Sequence, residues 1–201
     1  MRSPNLEYNW GVLDLLKKHF GYDSFRPLQE EIIGSVLAAD DTLVLMPTGG
    51  GKSLCYQLPA LRLEGLTLVI SPLIALMKDQ VDALRANGIP AAFVNSSLSS
   101  REIYEVQRDV FEGRTKILYA APERLATNQF RAFLRTVTLS LLAVDEAHCI
   151  SQWGHEFRTD YRNLNTIRTE FPNVPIIALT ATATDIVRKD IVDQLALKNP
   201  E

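Results

Sequence analysis

Met46-Pro47-Thr48-Gly49-Gly50-Gly51-Lys52-Ser53 follows the apolar run Thr42 to Met46 and precedes Leu54 to Leu63, a stretch with helical spacing. A strand, a glycine-rich turn and a helix in that order read as a phosphate-binding loop. Glycine tolerates the positive φ angles that let successive backbone N–H groups converge on anionic oxygens. Lys52 adds a point charge for the outer phosphates, and the Ser53 hydroxyl is a hard oxygen donor suited to Mg²⁺. The general pattern opens with a glycine separated from the Gly-Lys pair by four residues, and here that place is Met46. Such a turn also occurs as plain punctuation between elements. Three glycines in direct succession do not make the separated triplet of a dinucleotide-binding fold.

A second polar element decides between these readings. Asp145-Glu146-Ala147-His148 ends the apolar run Leu139 to Val144. A carboxylate just past such a strand, here Asp145, holds the water shell of a metal that Ser53 ligates from the other side, and Glu146 is left for the attacking water. Lys52, Asp145 and Glu146 are thus the candidate catalytic residues. Phosphoryl transfer asks for positioning and charge neutralisation more than covalent chemistry, which this set provides.

Working outward, short Val/Ile/Leu-rich runs recur at Thr42 to Met46, Leu66 to Ile70, Ala91 to Val94, Lys116 to Tyr119, Leu139 to Val144 and Ile176 to Leu179. Helical spacing lies between them: Leu54, Leu58, Leu61; Leu73, Leu76, Met77, Leu84; Ile103, Val106, Val110. Near-continuous apolar strands alternating with helices predict an α/β fold, a mainly parallel sheet covered on both faces. Ligands of such sheets sit at the carboxyl ends of the strands, where nearly all of these motifs fall. Residues 1–201 read as one domain without repeat or linker, and Pro59 inside a helical run predicts a kink.

The chain's 201 residues are 46% hydrophobic, enough to bury a core. A net charge of −3 and a pI near 5.7 argue against coating duplex nucleic acid by charge alone. Cys55 and Cys149 form no CxxC, so neither a zinc site nor a disulfide framework is expected, and a reducing cytoplasm fits best. Gly65 to Met77, the longest uncharged apolar stretch, is too short and too interrupted by Pro72 for a membrane span.

Phe20 to Gln29 precedes the phosphate loop and predicts a helix opening at Pro27. The Gln29 carboxamide suits adenine, accepting from N6–H₂ while donating to N7, whereas guanine loses one bond at a cost of roughly 1–3 kcal/mol. Tyr22 and Arg26 then stack on the two faces of the base. Residues 9–38 form an adenine-recognition helical segment on this reading, and Thr48, Gly49, Gly50, Gly51, Lys52 and Ser53 hold the phosphates. A bland alternative makes the segment an ordinary helix start with Phe20 and Phe25 in the core.

Asp145-Glu146-Ala147-His148-Cys149-Ile150-Ser151-Gln152-Trp153-Gly154-His155-Glu156-Phe157-Arg158 resembles the DEAH box and aromatic-rich loop of RecQ-type DNA helicases. With Phe20 to Gln29, the Met46 to Ser53 loop, Ser71 to Met77, Pro122-Glu123-Arg124 and Thr180-Ala181-Thr182, nearly the whole chain resembles the first RecA-like lobe of that family, in which Met46 is a normal variation. The resemblance implies an ATP- and Mg²⁺-dependent DNA helicase, a P-loop NTPase that moves 3′ to 5′ on single-stranded DNA and opens duplex junctions in recombination and repair. It implies that Glu146 orients or deprotonates the attacking water, Asp145 and Ser53 hold Mg²⁺, and Lys52 neutralises the β/γ-phosphates. His148 links the nucleotide site to the DNA site or serves as a general base.

Trp153, His155, Phe157 and Arg158 offer flat faces, and base–aromatic stacking is worth roughly 1–3 kcal/mol per base without sequence preference. Core packing of Trp153 and Phe157 is the alternative. Gly154, His155 and Glu156 interrupt any regular apolar face and favour a loop that senses single-stranded DNA. Ser71, Asn95, Ser96 and Arg124 follow strand ends and are candidate donors to DNA phosphates, with Ser71-Pro72 equally a helix cap. Thr180 and Thr182 are candidate hydrogen-bond partners of the DEAH region. ATP in this family sits between two lobes with an arginine finger from the second, so a partner lobe is expected and the lobe alone should turn over poorly. Two other classes compete: a nucleotide-gated binding module and an RNA helicase lobe, since stacking does not sense the 2′-OH. A P-loop kinase leaves the DEAH box and aromatic loop without a task.

Overall fold

The computed structural model describes residues 11–153 and 157–200. Six strands form one sheet in the order β1-β6-β5-β2-β4-β3: β1 Thr42–Leu45, β2 Leu66–Ile70, β3 Ala91–Val94, β4 Ile117–Ala120, β5 Leu139–Val144 and β6 Ile176–Thr180. Every neighbouring pair is parallel. Parallel strands need crossovers, and the helices supply them: α1 Val12–Phe20, α2 Gln29–Leu37, α3 Leu54–Arg62, α4 Ile74–Ala86, α5 Ser100–Phe111, α6 Pro122–Leu125, α7 Asn128–Leu134, α8 Leu164–Glu170 and α9 Asp185–Leu195. This is the parallel α/β architecture, covered on both faces, expected from the alternating runs.

Side chains of successive strand residues leave the sheet on opposite sides, which divides the core into two layers. Leu66, Leu68 and Ile70 of β2 join Leu142 and Val144 of β5 against α5, α7, α8 and α9. Val69, Leu141 and Ala143 face the other way, onto Val36 of α2, Cys55, Tyr56 and Ala60 of α3, and Met77, Val81 and Leu84 of α4. All five residues of β2 and of β6 are buried, which is why those strands read as unbroken apolar runs. The helix α3 runs from Leu54 to Arg62 through Pro59, and the Leu63 N–H donates to the Pro59 carbonyl at 2.9 Å.

Two local expectations are corrected. The helix α2 starts at Gln29, not Pro27, because Leu28 takes a left-handed φ of 70°. Residues 26–29 instead form a turn in which the Gln29 N–H donates to the Arg26 carbonyl at 3.1 Å and the Arg26 N–H donates to Gln29 Oε1 at 2.8 Å. Ser71 does not cap α4: Leu73 holds that position, and no side chain caps it.

One buried ion pair stands at the opposite edge of the sheet from the motifs. Arg168 Nη2 lies 2.6 Å from Asp41 Oδ2. Asp41 also accepts from the N–H groups of Ile176, at 2.9 Å, and Lys198, at 2.7 Å. Its carboxylate therefore ties the start of β1 to the start of β6 and to the segment after α9. No helix among the described residues is long and apolar enough to cross a membrane.

Candidate active site

The strand order brings the two decisive motifs together. β1 and β5 both flank β6, so the loop after β1 and the acidic turn after β5 emerge at one edge of the sheet. There a cavity of about 340 Å³ is lined by Tyr22, Arg26 and Gln29, by Thr48, Gly49, Gly51, Lys52 and Ser53, and by Asp145 and Glu146. Residues from three distant stretches thus share one wall. Ser24, Leu54, Leu76 and Gln80 complete it. Sequence reasoning missed these four, and nothing in their local pattern separates them from ordinary turn and helix residues.

The glycine-rich loop is tied down by one side chain of its own, Lys52, and by two from outside it, Arg26 and Gln29. Gly49 and Gly51 have φ of 79° and 84°, angles that a side chain would strain. Lys52 Nζ donates to the Met46 carbonyl at 3.1 Å. Arg26 Nη1 donates to the Gly49 carbonyl at 2.5 Å, and Gln29 Nε2 donates to the Gly51 carbonyl at 3.1 Å. Arg26 and Gln29 therefore grip the loop itself. Gln29 is only 1% exposed, its oxygen already accepting from the Arg26 N–H. The two-point pairing expected with adenine needs this carboxamide to use its second N–H and second lone pair, or to release the loop. Tyr22 is open to solvent beside it, 49% exposed.

Asp145 and Glu146 are held in unlike ways. Asp145 Oδ1 accepts from the Glu146 N–H at 3.0 Å, and the Asp145 carbonyl accepts from the Tyr161 hydroxyl at 3.0 Å. Burial, followed by the neighbouring Glu146 charge, pushes the Asp145 carboxyl up to about 6, while the Glu146 N–H, Lys52 and His148 pull it down. Glu146 takes a left-handed backbone, φ 47° and ψ 46°, unusual for a residue with a side chain. Its Oε2 lies 3.4 Å from His148 Nδ1.

The carboxylates, the Ser53 hydroxyl and the cavity beside them offer hard oxygen donors. Magnesium is ordinarily held by one or two such groups together with substrate phosphates, so the donor set fits it. No cluster of three or more His, Cys, Asp or Glu suited to a metal occurs among the described residues.

From this site a hydrogen-bonded path leads to β6. His148 Nδ1 is 2.9 Å from Thr180 Oγ1, and that hydroxyl donates to the Thr182 carbonyl at 3.0 Å. Thr182 takes part through its backbone alone. The other candidates are distributed differently. Trp153 is 75% exposed, and Phe157 shares with it a second cavity also bordered by Gln152 and Asp190. Arg158 does not present a free face: its Nη1 donates to the Pro72 carbonyl at 3.1 Å and pins the aromatic segment to the turn before α4. His155 lies outside the described residues.

Ser71 and Asn95 are 1% and 0% exposed, so their side chains do not reach a phosphate as they stand. Asn95 Oδ1 instead accepts from the Ser97 N–H at 2.9 Å and hydroxyl at 2.7 Å. Ser71 Oγ, Asn95 Nδ2 and Arg124 Nε are buried polar atoms without a hydrogen-bond partner among the described residues. They stand at the carboxyl ends of the adjacent strands β2, β3 and β4. Apposed surfaces rarely leave such groups unsatisfied, which marks this edge as one that a ligand or water completes.

The DEAD/DEAH box helicase family model matches residues 26–190. The chain is 54% identical over 188 residues to ATP-dependent DNA helicase RecQ of Haemophilus influenzae, covering 94% of this chain and 30% of that protein. It is 53% identical over 186 residues to ATP-dependent DNA helicase RecQ of Bacillus subtilis, covering 92% and 32%. The chain thus spans about a third of the length of these curated relatives. A solved structure of a hypothetical ATP-dependent RNA helicase from Sulfolobus tokodaii shares the fold, with a TM-score of 0.70, 23% identity and coverage of 96% of this chain and 56% of that one.

Proposed function

Because this chain belongs to the DEAD/DEAH box helicase family, we propose that it is the ATP-binding first lobe of a RecQ-type DNA helicase. The observation that carries this reading is the shared cavity, in which Lys52 and Ser53 of the phosphate loop meet Asp145 and Glu146. ATP enters with its base beside Tyr22, Arg26 and Gln29 and its phosphates on Thr48 to Ser53. Ser53 and Asp145, which line the same cavity, would hold Mg²⁺. The ion supplies neutralisation of phosphate charge. Lys52 adds to that neutralisation, and Glu146 orients or deprotonates the water that attacks the terminal phosphate.

DNA is read from the same edge. The exposed Trp153, with Phe157 and His155, offers stacking faces for single-stranded bases, and Arg158 joins them to the Ser71-Pro72 turn. Arg124 and the backbone around Ser71 and Asn95 face the phosphates. The path from Glu146 through His148 to Thr180 and Thr182 carries nucleotide state away from the cavity. A second RecA-like lobe closes the site and brings an arginine finger, and the assembled enzyme moves 3′ to 5′ on single-stranded DNA and opens junctions in recombination and repair within the cytoplasm. The RNA-helicase alternative has less support, because the relatives at 54% and 53% identity carry DNA helicase names.

The test is ATP turnover by the 201-residue chain beside a longer protein carrying the second lobe, each with and without single-stranded DNA and matched RNA. Turnover stimulated by DNA in the two-lobe protein and lost in Glu146→Gln supports the reading. Robust DNA-stimulated turnover by the 201-residue chain overturns the two-lobe requirement, and preference for RNA overturns the substrate.

A further inference from the structure

The hydroxyl of Tyr161 has a partner at the acidic turn that the phosphate chemistry above does not use. Tyr161 stands in a short 3-10 helix, Thr159–Asn163, just after the aromatic segment. Its side chain is 0% exposed, packed in the core layer with Cys149, Ile150 and Leu164. A phenylalanine would fill that space without a polar atom to satisfy. The phenol instead donates to the Asp145 carbonyl at 3.0 Å.

That carbonyl belongs to the peptide unit joining Asp145 to Glu146, and the N–H of the same unit donates to Asp145 Oδ1 at 3.0 Å. In a planar trans peptide the two groups point opposite ways, so one plane is held from both sides and turning it breaks both bonds together. The plane also sets the backbone of Glu146. Its φ of 47° lies in the left-handed region that side chains disfavour. Turning the peptide over would carry Glu146 to a negative φ, so local strain pulls against the orientation observed. Bonds must hold it. The Glu146 carbonyl accepts from the Cys149 N–H at 2.9 Å, which secures the far side of the residue, and the Tyr161 hydroxyl secures the near side. Tyr161 is itself firmly placed: its N–H donates to the Arg158 carbonyl at 3.1 Å, the Arg158 N–H donates to the Cys149 carbonyl at 3.0 Å, and Arg158 Nη1 donates to the Pro72 carbonyl.

We propose that Tyr161 is a positioning residue whose hydroxyl locks the Asp145–Glu146 peptide in the orientation that presents both carboxylates to the nucleotide cavity. The lock rests on reading Asp145 as the metal holder and Glu146 as the residue that handles the attacking water. Tyr161 does not line the cavity. It acts through the plane of one peptide, so its loss lowers turnover and leaves nucleotide binding intact.

The test is Tyr161→Phe, which keeps the ring and removes the donor. In the two-lobe protein, DNA-stimulated kcat should fall roughly five- to tenfold, the scale of one lost hydrogen bond, with nucleotide KM within about twofold. Amide hydrogen exchange, read by NMR on the 201-residue chain, separates positioning from packing. The Glu146 N–H should exchange faster by a similar factor while those of Leu142 and Ala178 in the sheet keep their rates. Unchanged kcat in folded Tyr161→Phe, with Glu146→Gln inactive, overturns the lock and leaves the assignment of the acidic turn standing. Exchange that quickens throughout the sheet shows a packing role and overturns the lock as well. Full turnover in Glu146→Gln overturns the assignment and the lock with it. Should Tyr161→Phe fold poorly, the unsubstituted chain decides: a Glu146 N–H protected from exchange supports the lock, and one that exchanges as fast as an exposed turn overturns it.

Discussion

Thr180 Oγ1 lies 2.9 Å from His148 Nδ1, across the gap between the end of β6 and the turn after β5. Since the Thr180 hydroxyl donates to the Thr182 carbonyl, it accepts from the imidazole, which sets Nδ1 as the protonated nitrogen. The same nitrogen is 3.4 Å from Glu146 Oε2. A threonine on one strand thereby orients the histidine that faces the Glu146 carboxylate. Thr180→Val keeps the shape and removes the acceptor. In the two-lobe protein it should lower DNA-stimulated kcat about tenfold and leave the nucleotide KM within twofold, measured by steady-state ATPase assay.

Asp145 carries an opposing demand of stability and function. Its carboxyl is pushed up to about 6, above its ordinary 3.8, by burial first and the Glu146 charge second. A raised carboxyl pKa stabilises the fold fully below pH about 4 and loses that contribution as pH rises through about 6. At pH 8 the ionised group therefore costs stability, about 3 kcal/mol. Asp145→Asn should raise the melting temperature of the metal-free chain at pH 8 by several degrees and barely change it at pH 4. The same variant should lose the Mg²⁺ response of nucleotide binding. In the unsubstituted chain that response should fade as pH falls below about 6, because the metal must displace a proton.

Gln29 and Arg26 fasten the phosphate loop through the carbonyls of Gly51 and Gly49. Gln29→Ala should weaken ATP binding about tenfold and reduce the preference for ATP over GTP, as read by competition against a fluorescent nucleotide. Because the carboxamide also anchors the loop, ADP and inorganic triphosphate should weaken as well. An effect confined to purine choice would assign Gln29 to the base alone.

Asp41 tests the fold independently of the site. Asp41→Ala leaves Arg168 buried without its carboxylate and frees two backbone N–H groups. The expected loss is about 3–5 kcal/mol in chemical denaturation. Replacing the pair together, Asp41→Leu with Arg168→Met, should recover much of that loss.

Parts of this were legible from local pattern and parts depend on contacts between distant residues. β2, β3 and β5 are buried on both faces, so each run of apolar residues coincides with its strand. The phosphate loop and acidic turn were legible because each chemistry demands an unusual string of residues. Pro27 misled because a proline suits a turn as well as a helix start, and the Arg26–Gln29 bond selects the turn. Arg158 looked like a flat face for bases, yet its partner is a carbonyl 86 positions away. The Asp41–Arg168 pair, 127 positions apart, and the Gln57–Gln80 contact had no local signature at all. Ser71 and Asn95 follow strand ends as expected, but strand ends in a covered sheet are interior places.

The central claim is that one divalent ion is shared by the phosphate loop and the acidic turn. Adding Mn²⁺ with ADP to the isotope-labelled chain and mapping paramagnetic broadening of backbone signals addresses it directly. The account predicts strong, nucleotide-dependent broadening at both Ser53 and Asp145, diminished in Ser53→Ala and in Asp145→Asn. Broadening at only one of the two, or centred elsewhere on the chain, would contradict it.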